Sequence, residues 1–104
     1  MVKKFIAILV LGLLWSSNAY AYLTRGQVSC GTIISMDREN PTMTKGVMTG
    51  FVNGYITARN YETNGNVGKG FDNDSIYHAL LKYCRENPLK DNVDASENVY
   101  NKLK

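Results

Sequence analysis

Apolar residues in this chain recur at helical spacing, and the runs are separated by two Asn-Pro pairs and one glycine-rich stretch. The pattern predicts four helical segments and no convincing strand pair. In the first, Val28, Ile33, Ile34 and Met36 are the apolar positions, and Asn40-Pro41 ends the helix. Thr24-Arg25-Gly26-Gln27 fits a capping box at its start. A start nearer Ser29 is the alternative, because Gly26 and Gly31 weaken the early turns.

The second segment, Thr44 to about Tyr61, sorts into rows four residues apart, which stack on a helix face. Gly46, Gly50, Gly54 and Ala58 form one row. Val47, Phe51 and Tyr55, then Met48, Val52 and Ile56, form its apolar neighbours, while Lys45, Thr49, Asn53 and Thr57 read as the polar side. Three glycines inside a helix cost roughly 0.5–1 kcal/mol each relative to alanine. Close approach of another backbone within the domain is the expected compensation, with a homodimer seam or partner groove as the alternative. On the packed reading, Gly50→Leu costs several kcal/mol through overpacking.

Glu62 to Phe71 reads as a flexible connector: Asn64-Gly65 is a turn signal, and Gly68 and Gly70 follow closely. Asp72-Asn73-Asp74-Ser75 then suits a helix N-terminus. Ile76, Leu80, Tyr83 and Cys84 share one face of the third helix, with Tyr77 and Leu81 beside them, and Asn87-Pro88 ends it. The fourth helix, about Asp91 to Leu103, carries the stripe Ala95, Val99, Leu103.

The beginning of the chain changes the accounting. Lys3 and Lys4 precede the apolar run Phe5 to Trp15, and Ala19-Tyr20-Ala21 is an A-x-A cleavage pattern. This order predicts a secretory signal peptide over residues 1–21, its apolar run too short for a membrane anchor. A mature chain from Tyr22 holds 83 residues with ten basic and nine acidic side chains, so the formal +3 falls to +1. That leaves one small helical domain, residues 22–104, with no membrane segment after cleavage and no strongly basic surface for nucleic acid.

Cys30 and Cys84 are the only cysteines, and an even count in an exported chain predicts a disulfide. Closing a loop of about 55 residues stabilises by roughly 4 kcal/mol on the chain-entropy model. That matters for a domain of this size, which buries only about 60–65% of its unfolded surface. Two distant cysteines and one histidine cannot fill a zinc shell without distant carboxylates, and no C-x-x-C is present for redox chemistry.

No catalytic signature emerges. His78 falls off the apolar face of its helix and reads as a surface residue, and no Gly-x-Ser-x-Gly elbow exists. Gly65 to Gly70 includes Lys69, but no strand precedes it and no Ser or Thr follows the lysine, so it is not a P-loop. Asp72 and Asp74 lack the glycine and terminal glutamate of a calcium loop. Asp37 and Glu39, and Glu86, Asp91 and Asp94, read as solvated helix ends. The reading is therefore non-enzymatic, with no cofactor and no metal. Tyrosine is enriched at binding surfaces, so Tyr55, Tyr77 and Tyr83, with Gly46, Gly50, Phe51 and Gly54, are the candidate partner or packing surface.

The cysteine placement and the run Tyr83-Cys84-Arg85-Glu86-Asn87-Pro88-Leu89-Lys90 resemble the small periplasmic HdeA/HdeB acid-stress chaperones, through the Tyr-Cys-basic-x-Asn-Pro segment. The chain is also similar to small disulfide-bonded immunity proteins that neutralise type VI secretion effectors, compare Gly54-Tyr55. The first resemblance implies an all-α, disulfide-stapled domain of four helices, or three and a short fourth. Its implied setting is the periplasm or outside the cell, and its partners are unfolded clients. The second implies a single toxin as partner.

Overall fold

The computed structural model describes residues 26–104, and four α-helices account for most of them. The signal peptide, the start at Tyr22 and the Thr24 cap lie outside the described residues. The helices are α1 (Cys30–Glu39), α2 (Pro41–Thr63), α3 (Asn73–Glu86) and α4 (Asn92–Leu103). Each packs against all three others. No described helix is long and apolar enough to cross a membrane.

Caps set the boundaries. α1 takes the later of its two starts: the Ser29 hydroxyl accepts the Thr32 N–H at 3.2 Å. Asn40 serves two helices. Its own N–H donates to the Met36 carbonyl at 2.8 Å, closing α1, and its side chain accepts the Met43 N–H at 3.1 Å, opening α2. α2 therefore begins at Pro41 rather than Thr44. Proline suits the first helical position, where its missing N–H has no partner to lose. Asp72 caps α3 by accepting the Ser75 N–H at 2.8 Å. Asp91 and Asp94 form a capping box on α4.

The core is made by Ile33 of α1, Met48, Val52 and Ile56 of α2, Ile76, Leu80 and Leu81 of α3, and Ala95, Val99 and Tyr100 of α4. The disulfide Cys30–Cys84 is fully buried among them, with Cα atoms 4.7 Å apart, and ties the first turn of α1 to the last of α3. The polar row predicted on α2 turns partly inward. Thr44 and Thr49 are buried, and their hydroxyls donate to the carbonyls of Asn40 at 2.7 Å and Lys45 at 2.6 Å. A hydroxyl satisfied by its own helix costs little to bury. Val47 is displaced to the outside and is 53% exposed.

Residues 64–71 are tethered to α2 rather than a loose connector. Asn64 closes the helix in the left-handed conformation. The Asn60 side chain then grips Val67 twice, donating to its carbonyl and accepting its N–H, each at 3.0 Å.

Candidate functional site

The surface proposed from sequence divides on the folded chain. Gly46, Gly50 and Gly54 face outward, and a Cβ added at any of them would meet nothing within 4 Å. The expectation of tight internal packing is wrong. α2 buries the face formed by Thr44, Met48, Val52 and Ile56, and the glycine row lies roughly opposite it. Met43 and Val47, each about half exposed, share this outer side. The outer strip made by Met43, Gly46, Val47, Gly50, Gly54 and Ala58 carries no charged side chain.

The tyrosines are packing residues more than presented ones. Tyr77 is buried and its hydroxyl donates to Asp37 Oδ1 at 2.7 Å, joining α3 to the end of α1. Burial and that hydrogen bond raise the Tyr77 hydroxyl well above the ordinary tyrosine range. Tyr83 is half-buried against the core, and burial with nearby Asp94 and Asp91 raises its pKa as well. Tyr55 lies edge-on to Tyr100, ring centres 6.5 Å apart. Both rings sit beside Arg59, whose guanidinium is 4.4 Å from the Tyr100 centroid and 2.6 Å from Glu97 Oε2. Phe51 is half-buried.

Of the acidic residues read from sequence as solvated ends, Glu39 and Glu86 are exposed, whereas Asp37, Asp91 and Asp94 do specific work, as do three other acids. Asp37 holds Tyr77, Asp74 pairs with Lys45 between α3 and α2, and Glu97 pairs with Arg59 between α4 and α2. Asp72, Asp91 and Asp94 cap helices, and Asp91 also accepts from Gln27 before α1. These are six of the nine acidic side chains in the chain. The Ser75 backbone N–H, then its hydroxyl, hold Asp72 below the usual carboxylate range. Asp91 is also lowered: partial burial pushes it up, but the Asp94 N–H and Gln27 outweigh that.

A second arrangement has no counterpart in the sequence reading. Between the α1–α2 junction and α3 lies a cleft of about 450 Å³, walled by Asp37, Lys45, Asp74, His78 and Arg85. Asp74, His78, Leu81 and Arg85 recur at intervals of four, three and four along α3, one helical stripe. That spacing was the available signal, but the partners across the cleft are visible only when folded. Among the described residues, no group of His, Cys, Asp and Glu is arranged to hold a metal ion.

Fold and site together define a disulfide-stapled, all-α domain of four helices with an uncharged outer strip on α2. No family model, curated protein or solved structure matches the chain.

Proposed function

We propose that this is an exported, non-enzymatic protein-binding protein that acts as a periplasmic acid-stress chaperone, folded at neutral pH and loosened in acid to bind unfolding clients. The observation that carries the reading is the placement of the carboxylates. Six of nine hold a helix cap or a junction between elements, so protonation weakens several junctions at once. Over the same range the side-chain charge of residues 22–104 rises from +1 to about +11, and like charge favours expansion. The disulfide keeps α1 and α3 linked while the remaining contacts loosen. Apolar surfaces such as Ile76 and Leu80 of the core, with Tyr55 and the half-buried Phe51, would then become available.

The test is light scattering of an aggregating client at pH 2–3, with and without the protein, beside circular dichroism of the protein alone. Suppressed aggregation with lost tertiary signal is the expected result. A native signal at pH 2–3 with unsuppressed aggregation overturns the reading.

A second reading, an immunity protein that neutralises one toxin, draws on a different observation. The uncharged strip around Met43, Val47 and Gly50 is already exposed in the folded state, as a preformed recognition face requires. A gene for a secreted effector beside this one, and a stable complex at neutral pH, would favour it.

A further inference from the structure

The cleft between the α1–α2 junction and α3 has the size of a ligand site, about 450 Å³ against a usual range of roughly 300–1,000 Å³. Its charged groups are not equally engaged. Lys45 is paired with Asp74, and Asp37 accepts the Tyr77 hydroxyl. Arg85 and His78 line the same cleft, yet neither takes part in an ion pair or a side-chain hydrogen bond among the described residues. All nine acidic side chains of the chain belong to the described residues, so no carboxylate elsewhere in the sequence is left for Arg85. Leu81, buried between the two, gives the cleft an apolar floor.

We infer that this cleft binds a carboxylate-bearing ligand, with Arg85 as the principal donor, His78 as the second, and Leu81 against the ligand's hydrocarbon part. Guanidinium presents a planar fork that matches a carboxylate in two parallel hydrogen bonds. Arg85 and His78 stand two turns apart on α3, about 10 Å between backbones. Their side chains therefore suit either two acid groups on one short ligand or one group approached from both ends. Asp37 and Asp74 oppose such a ligand: the first by like charge, the second by occupying Lys45. That opposition gives the inference its signature, since removing either acid tightens binding while removing Arg85 loosens it. The site belongs to the folded protein at neutral pH and stands independently of the acid-chaperone reading.

The experiment is an NMR titration of the intact, oxidised protein at pH 7 and low salt. The probes are glutarate, a capped tetraglutamate peptide and a capped tetralysine control. Saturable 1:1 shifts confined to the α1–α2 junction and α3 are expected with an acidic probe and not with tetralysine. Saturation by the peptide alone assigns an acidic protein segment, and saturation by glutarate as well assigns a small dicarboxylic acid. Arg85→Gln should weaken binding tenfold or more, with His78→Gln weakening it several-fold and Arg85→Lys partly restoring it. Asp37→Asn and Asp74→Asn should each tighten it several-fold, and Lys102→Gln on α4 should leave it unchanged. Arg85 and His78 are exposed, so these variants should keep wild-type melting. Should Arg85→Gln misfold, the opposite shifts of His78→Gln and Asp37→Asn decide the matter. Shifts that do not saturate, or equal weakening by Lys102→Gln and Arg85→Gln, reduce the effect to general surface charge and overturn the inference.

Discussion

Asn92 clamps Val28 from both sides. Its side-chain oxygen accepts the Val28 N–H at 2.8 Å, and its own N–H donates to the Val28 carbonyl at 2.9 Å. The Asn92 amide also donates to the Gly26 carbonyl at 3.0 Å. One fully buried side chain thus holds the strand-like approach to α1 against the start of α4, where Ser29 and Asp91 form a lone antiparallel bridge. Asn92→Ala should destabilise by about 2 kcal/mol, the usual effect of leaving buried backbone groups unpaired. Urea unfolding measures the loss. Hydrogen exchange should accelerate first at Val28 and Cys30, and uniform acceleration would show that the clamp is not local.

The glycine row now predicts the reverse of overpacking. With open space at each Cβ position, Gly46→Ala, Gly50→Ala and Gly54→Ala should each stabilise by about 0.5–1 kcal/mol through helix propensity. A thermal melt of the triple variant should rise by several degrees. A fall would mean that another chain covers the row in solution, and sedimentation would then show a dimer.

Removing the disulfide should be the most damaging single change to stability. The bond spans 54 positions of sequence and both cysteines are fully buried. Paired Cys30→Ala and Cys84→Ala should lose roughly 4 kcal/mol through restored freedom of the unfolded chain. Denaturant melts of the oxidised, reduced and double-variant proteins should place the last two together, well below the first.

Acid sensitivity should trace in part to two caps. The Asp72 and Asp91 carboxyls have lowered folded pKa values, so their stabilisation is present above the unfolded carboxyl range near 4 and is lost as pH falls through the folded values. Asp72→Asn with Asp91→Asn should leave pH 7 stability slightly reduced and flatten its decline below about pH 4. Unfolding free energies at pH 7, 5 and 3 check this, and parallel decline in wild type and variant would place the acid response elsewhere.

The helices were legible because their information is local. Helical spacing marks α3 and α4, Asn-Pro marks where α1 and α3 stop, and Asp72 and Asp91 mark where α3 and α4 begin. The cysteine pair was legible because two cysteines allow a single intramolecular bond. On α2 the row Met48, Val52 and Ile56 was legible as apolar and is buried, but which of its neighbours turn inward was not. Glycine is silent about its surroundings, serving a tight interface and an open surface alike, and Thr49 could be buried because its hydroxyl bonds back to Lys45 of its own helix. Asn92 looks like any polar helix residue until Val28, sixty-four positions earlier, is laid beside it. The cleft arises in the same way: α3 supplies Asp74, His78 and Arg85 as a stripe, but only the crossing of α1 and α2 brings Asp37 and Lys45 opposite them. Local propensity and single-partner chemistry are written along the chain. The roles of glycines, buried amides and charge pairs depend on long-range neighbours, and those are set by packing.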